Sequence, residues 1–251
     1  MKTLISILSG KGGVGKSQIS VSIAQSLNQE YSIKCFDNDS QVPTLSKYKS
    51  LNAKHIMIYD IDEDGEIKPE TLDITRLDEI SSEIEYGRNE IVLVDNGAAS
   101  LNPFLSAFSV EAIEMLYEEI TNFNFIVVIP VTADETTHKS ALEILNRYSV
   151  LAKYIIIENY HFGRFDFYNT PIGKIFQSNR SVIINVKLER HTDSFLKMHE
   201  KMRDLNLTKE EALNSKDFQL IEKSRIRIMK RDFDDVFLTI VNSLINNTKE
   251  K

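Results

Sequence analysis

The sequence predicts an α/β fold built on a mostly parallel sheet with helices on both faces. Three observations carry that expectation. Short β-branched runs alternate with longer amphipathic runs, as strands and helices do in such folds. Ile91-Val92-Leu93-Val94 and Phe125-Ile126-Val127-Val128-Ile129 are apolar throughout instead of alternating, as strands covered on both faces are. A glycine-rich turn follows the first apolar run directly and leads straight into a helical run.

Taken in order, strands are expected at Thr3–Leu8, Ile33–Phe36, His55–Tyr59, Glu90–Val94, Phe125–Pro130, Tyr154–Ile157 and Val182–Val186. Helices are expected at Lys16–Asn28, Thr75–Glu85, Pro103–Ile120, Thr137–Leu151, Thr192–Arg203 and Thr208–Asn214, the last opened by a Thr208/Glu211 capping box. A long final stretch, Asp217–Ile245, closes the pattern, and the aromatic-rich segment Asn159–Arg180 reads as an irregular loop, packed on the body or serving as a lid or partner surface. No repeat, linker or low-complexity tract divides the chain, so residues 1–251 read as one domain with a helical portion from about 190 onward.

With 251 residues, 42% hydrophobic and 27% charged, the chain can bury about three quarters of its unfolded surface, which excludes collagen-like and largely disordered classes. The single cysteine, Cys35, excludes an intramolecular disulfide and a cysteine-built metal cage, and lies within an expected strand as an inert buried thiol. The apolar stretch of Met1–Leu8 is too short for a signal-peptide core or a membrane span, so the expected compartment is the cytoplasm. A net charge of −7 opposes non-specific binding of nucleic acid by the molecule as a whole, although a local basic face is compatible with it.

The segment Gly10-Lys11-Gly12-Gly13-Val14-Gly15-Lys16-Ser17 satisfies G-x-x-x-x-G-K-[ST] between a strand and a helix. Glycines let successive backbone N–H groups turn inward onto phosphate oxygens, and the following helix adds the positive end of its dipole. In this pattern Lys16 lies along the β- and γ-phosphates of ATP, the Ser17 hydroxyl ligates Mg²⁺, and Gly12, Gly13, Val14, Gly15 and Gln18 complete the nucleotide-binding set.

Lys11 is not needed to cradle phosphate within one subunit. Lys11-Gly12-Gly13-Val14-Gly15-Lys16-Ser17 resembles the deviant Walker A motif of the ParA/MinD ATPases, a class of P-loop NTPases. That resemblance implies that Lys11 reaches the nucleotide of a partner copy and that ATP promotes a homodimer. Phe36-Asp37-Asn38-Asp39-Ser40-Gln41 resembles the family's switch I, D-x-D-P-Q, with Ser40 in place of proline. It implies that Asp39 orients the attacking water while Asp37 holds the metal shell or the loop. Ile91-Val92-Leu93-Val94-Asp95 is an apolar strand ending in an acid, the Walker B arrangement, in which Asp95 binds Mg²⁺. The following run, Asp95-Asn96-Gly97-Ala98-Ala99-Ser100, lacks the proline of the family's D-x-P-x-G switch II. Together with Thr44–Ala53 and Glu211–Phe218, that departure resembles the TraL-type branch carried by conjugative plasmids. Asn159 stands at a strand end where the family often places an adenine-binding asparagine.

Other signals are weaker. Asp60–Ile67 matches the first half of an EF-hand loop, but Thr71 occupies the twelfth position, so a solvated acidic hairpin is expected. His55, His138, His161, His191 and His199 show no metal-ligand spacing. The final apolar stripe (Phe233, Val236, Phe237, Ile240, Val241, Leu244, Ile245) carries acids and asparagines on its polar side, so it is expected to dock on the protein body and not in a membrane. Lys223, Arg225, Arg227, Lys230 and Arg231 are the densest cationic cluster; Lys223, Arg227, Lys230 and Arg231 form a candidate DNA contact.

The expected function is a slow Mg²⁺-dependent ATPase that switches between monomer and dimer in plasmid partition, mobilisation or conjugal transfer, with a plasmid-encoded partner protein. The competing expectations are an ATP-dependent biosynthetic ligase of the same fold and a module that holds ATP without hydrolysing it.

Overall fold

Residues 1–64, 66–178, 183–190 and 192–246 are described by the structure, a computed structural model of the chain. β1 (Lys2–Ile7) leads through the glycine-rich turn into α1 (Lys16–Leu27), and β2 (Ile33–Asn38) follows. A two-residue β3 (Lys54–His55) precedes a small hairpin of β4 (Asp60–Ile61) and β5 (Ile67–Lys68). α2 (Asp78–Tyr86) then leads to β6 (Ile91–Asn96), α3 (Leu101–Ala107) and α4 (Val110–Glu119) to β7 (Phe123–Val131), α5 (Glu135–Tyr148) to β8 (Lys153–Asn159), and α6 (Pro171–Ser178) to β9 (Ile183–Leu188). Helices α7 (Asp193–Asp204), α8 (Lys209–Asn214), α9 (Leu220–Lys230) and α10 (Val236–Asn246) finish the chain, the last two joined by a π-helical turn, Arg231–Asp235.

Among the described residues, seven strands form one sheet in the order β3-β2-β6-β1-β7-β8-β9, and every pairing in it is parallel. Successive residues of a strand point to opposite faces. Ile5, Ile7, Leu93 and Val128 therefore pack with Ile19, Ile23 and Leu27 of α1 and with Phe237 and Val241 of α10. Leu4, Val92, Val94 and Val127 pack on the other face with Ile80, Phe104, Ile113 and Ile144. Both faces are covered, which is why these strands are apolar at every position. A smaller cluster, Met198, Met202, Ala212, Phe218, Ile226 and Met229, holds α7, α8 and α9 together.

Several elements differ from the sequence reading for identifiable reasons. The expected helix Pro103–Ile120 is broken at Phe108, and Ser109 caps α4 by accepting the Ala112 N–H at 3.2 Å. The expected strand His55–Tyr59 stops at His55; the Met57 and Tyr59 carbonyls accept from the Arg76 guanidinium at 2.9 and 3.2 Å instead of continuing a ladder. The segment 159–180 contains α6, opened by Pro171, which is a good first helical residue that reads as a breaker in isolation. The Thr208/Glu211 capping box is present. The acidic run folds as a hairpin in which the Asp62 carboxylate accepts the Asp64 and Glu66 N–H groups, while Gly65 lies outside the described residues. Val182, His191 and residues 179–180 of the aromatic segment also lie outside them. Phe237, Val241 and Ile245 of α10 are fully buried against the body, and no helix among the described residues is long and apolar enough to cross a membrane.

Because the strands are parallel, the C-terminal ends of β1, β2, β6 and β8 meet at one edge, where ligands bind in open α/β sheets. That edge receives the glycine-rich loop, Asp37, Asp95 and Asn159.

Candidate functional site

The loop between β1 and α1 has left-handed glycines at Gly13 (φ 74°) and Gly15 (φ 89°), the conformation that turns its amides inward. It is fastened from two sides. The Gly10 N–H donates to Ser140 Oγ of α5 at 2.9 Å, and the Asn159 side-chain amide donates to the Val14 carbonyl at 3.0 Å. A Cβ at Gly15 would stand 2.9 Å from that amide, so β8 and the loop touch only because residue 15 has no side chain. Gly12 and Gly13 face open space.

Lys16, buried to 7% exposure, curls over the loop and donates to the Lys11 carbonyl at 2.8 Å. Burial lowers its pKa, and the nearby Asp95 and Asp39 charges pull it back up. A buried ammonium on one neutral carbonyl is under-satisfied, and phosphate oxygens are much stronger acceptors for it. Ser17 and Gln18 follow on the first turn of α1, both half-buried.

The acids lie beneath. Asp37 and Asp95 are register partners on neighbouring strands and both are fully buried. Asp95 Oδ1 accepts from Ser20 Oγ at 2.8 Å, while Oδ2 has no partner. Burial, then the Asp37 charge, pushes the Asp95 carboxyl up to about 7, against the Ser17 and Ser20 hydroxyls. Asp37 is raised by burial too, although it accepts the Ser46 N–H at 2.8 Å and the Asp39 N–H at 3.3 Å. An orphaned carboxylate oxygen, a second acid and an adjacent hydroxyl make an all-oxygen donor set that fits Mg²⁺. Among the described residues no three His, Cys, Asp or Glu side chains converge on one point, and Mg²⁺ characteristically takes few protein ligands beside water and phosphate.

Asp39 is half-buried, its Oδ1 accepting the Gln41 and Val42 N–H groups at 3.0 Å each, so the carboxylate ties its own loop. Lys11 is turned toward α5, with Nζ 3.2 Å from Asp134 Oδ2. Asp134 also caps α5, and hydrogen bonding, chiefly from Thr136, draws its carboxyl down to about 2. Asn159, read from sequence as an adenine contact, has its amide donating to Val14 and its oxygen accepting the His161 N–H at 3.2 Å.

The sequence reading missed Ser20, Ser140, Asn38, Asn96 and Gly97, all of which act on these groups. Ser20 had a signal, since it follows Lys16 by one helical turn and shares its face. Ser140 is 130 residues from Gly10 and had none. In the basic cluster, Lys230 is paired with Glu210 at 2.7 Å and Arg231 with Asp232 at 3.0 Å, while Arg227 is exposed and Lys223 half-buried.

Residues 5–172 match the CobQ/CobB/MinD/ParA nucleotide binding domain. The chain belongs to this family. Along most of its length it is also similar to the protein TraL of Escherichia coli, with 23% identity over 237 residues, covering 90% of this chain and 92% of that one. Two solved structures share the fold at a TM-score of 0.52 each. One is a plasmid partition protein of Borrelia burgdorferi B31 bound to AMPPNP, 16% identical, covering 95% of this chain and 99% of that one. The other is the cell division ATPase MinD of Pyrococcus furiosus, 15% identical, covering 94% and 100%. Membership places the loop at 10–17 in a nucleotide-binding domain.

Proposed function

We propose that this protein is a Mg²⁺-dependent ATPase whose ATP-bound form is a homodimer, acting in plasmid partition, mobilisation or conjugal transfer together with a plasmid-encoded partner. The observation that carries the reading is the under-satisfied Lys16 above an acid pair with an orphaned oxygen, at the mouth of a left-handed glycine loop. Lys16 leaves the Lys11 carbonyl for the β- and γ-phosphates, and the loop amides of Gly12, Gly13 and Gly15 orient the chain of phosphates. Ser17 and Asp95, with Asp37 behind them, hold the cation, which when bound supplies charge neutralisation for the transferring phosphoryl group. Asp39 orients the attacking water once its carboxylate gives up the Gln41 and Val42 amides. With so few groups to activate water, turnover is slow.

Lys11 supports the dimer. In a single chain its ammonium is held by Asp134, at the surface, and a partner's triphosphate offers it a stronger anion. Asn159 braces the loop from below, and an adenine contact requires its amide to leave Val14. The similarity to TraL over most of both chains favours the plasmid context over a biosynthetic ligase. DNA binding in this reading rests on Lys223 and Arg227 more than on Lys230 and Arg231, which are paired with acids. The test is calorimetry and light scattering with Mg²⁺-ATP. Lys16→Ala is expected to abolish nucleotide binding, and Asp39→Ala to bind ATP and accumulate as dimer; an Asp39→Ala protein that stays monomeric with nucleotide bound overturns the switch.

A further inference from the structure

We propose that Gly97 and the Asn38–Asn96 amide pair are positioning residues that fix the Asp39 carboxylate relative to Asp95, so that the loops after β2 and β6 move as one unit. The inference rests on the reading of Asp39 and Asp95 given above and assigns to it a coupling element.

The register that places Asp37 beside Asp95 places Asn38 beside Asn96, one residue on and therefore on the opposite face of the sheet. Both asparagines are buried, at 0% and 1% exposure. Asn38 Nδ2 donates to Asn96 Oδ1 at 2.8 Å, the Gly97 N–H donates to the Asn38 carbonyl at 3.2 Å, and Asn96 Nδ2 reaches the Ile7 carbonyl at 3.4 Å. Three strands are thus joined where they release the glycine loop, the Asp39 loop and the loop after Asp95. Buried amides are costly when incompletely satisfied, and Asn38 Oδ1 has no partner; an apolar pair at these positions in a sheet core would avoid that cost. What the amides add is a directional link between two strand ends.

Gly97 completes the link by lacking a side chain. It has no positive φ, so conformational freedom is not what residue 97 needs; space is. A Cβ there would lie 2.7 Å from Asp39 Cγ and Oδ1 and 3.0 Å from Asp39 Cα. The Asp39 carboxylate therefore rests against the backbone of the neighbouring loop, and any shift of Gly97 is a shift of the surface that backs it.

The experiment uses the full chain and compares wild type, Gly97→Ala, Asn96→Ala and Asp39→Ala by Mg²⁺-ATP calorimetry, steady-state hydrolysis and amide hydrogen exchange. Gly97→Ala is expected to lower kcat at least tenfold with the Kd for ATP changed less than threefold, and to raise exchange at Gln41 and Val42, whose amides lose their acceptor. Asn96→Ala is expected to produce the same split with a smaller loss. In the Asp39→Ala background, exchange at Gln41 and Val42 is already fast and Gly97→Ala adds less than twofold. Exchange at Gln41 and Val42 unchanged by Gly97→Ala in the wild-type background overturns the positioning role, whatever the activity. Wild-type protein that binds no ATP overturns the functional reading instead, and the exchange comparison still decides the coupling. Gly97→Ala that hydrolyses like wild type despite raised exchange overturns the link to turnover.

Discussion

Two buried charge clusters lie along α1, and their surroundings are opposite. Lys209 Nζ sits 2.6 Å from Asp234 Oδ1 and 2.9 Å from Ser22 Oγ. Gln25 spans both partners, donating to Asp234 Oδ2 at 2.5 Å and accepting the Lys209 N–H at 2.6 Å. The π-helical turn at Arg231–Asp235 contains Asp234, which is 1% exposed. Burial lowers Lys209 and raises Asp234, and each charge draws the other back. At the sheet edge, by contrast, Asp37 and Asp95 are like charges, and Asp95 Oδ2 has no partner. The fold completes the charges that hold the C-terminal helices to α1 and leaves the Asp95 carboxylate at the sheet edge with one oxygen unpaired. At equal burial, incomplete pairing is what the proposed cation site has and the Lys209–Asp234 joint lacks.

The largest effect is expected at the completed cluster. Asp234→Ala leaves Lys209 buried without its counter-charge and is expected to cost about 3–5 kcal/mol of stability in urea unfolding. A loss below about 1 kcal/mol would show that water reaches the joint.

The incomplete cluster should respond with the opposite sign. Asp95 is raised to about 7 in the folded chain, well above the ordinary carboxyl range of the unfolded chain, so between the two the folded state holds a proton that the unfolded state has released. Its contribution to stability therefore falls as pH rises from about 4 to 7 and stays low above. Asp95→Asn is expected to stabilise the nucleotide-free protein at pH 8 and to change its stability little near pH 4, while abolishing Mg²⁺-dependent ATP binding. Thermal unfolding at the two pH values checks the sign, and destabilisation at pH 8 would show that the charge is already compensated.

The smallest effect on stability belongs to the exposed pair. Lys11 and Asp134 keep 48% and 41% of their side-chain surface in water, so Lys11→Ala is expected to leave stability nearly unchanged while removing ATP-linked dimerisation. Sedimentation with Mg²⁺-ATP reads the second part, and a dimer that forms normally without Lys11 removes its role across the interface.

The glycine loop was legible because its chemistry lies in eight consecutive residues, and a local turn requires no knowledge of the rest of the chain. Asp95 is legible as the acid that closes an apolar strand, and Asp37 and Asp39 through the resemblance to switch I, but the pairing of Asp37 with Asp95 is not, since it follows from the register of β2 against β6. Nothing in the sequence could give Asn159 to the Val14 carbonyl or Ser140 to Gly10, because those contacts join segments 145 and 130 residues apart. α6 was missed because Pro171 and Gly173 read as breakers in isolation, whereas the Phe167, Tyr168 and Phe176 rings pack the segment into place.

The parallel α/β class and the loop at 10–17 are readable from the chain alone, since periodicity and short motifs are properties of neighbouring residues. Which charges are completed and which are left open, where Lys11 points, and that Gly97 stands against Asp39 emerge only once the chain is folded. Those outcomes depend on strand order, register and burial, and a buried group's energetics belong to what surrounds it and not to its own position in the chain.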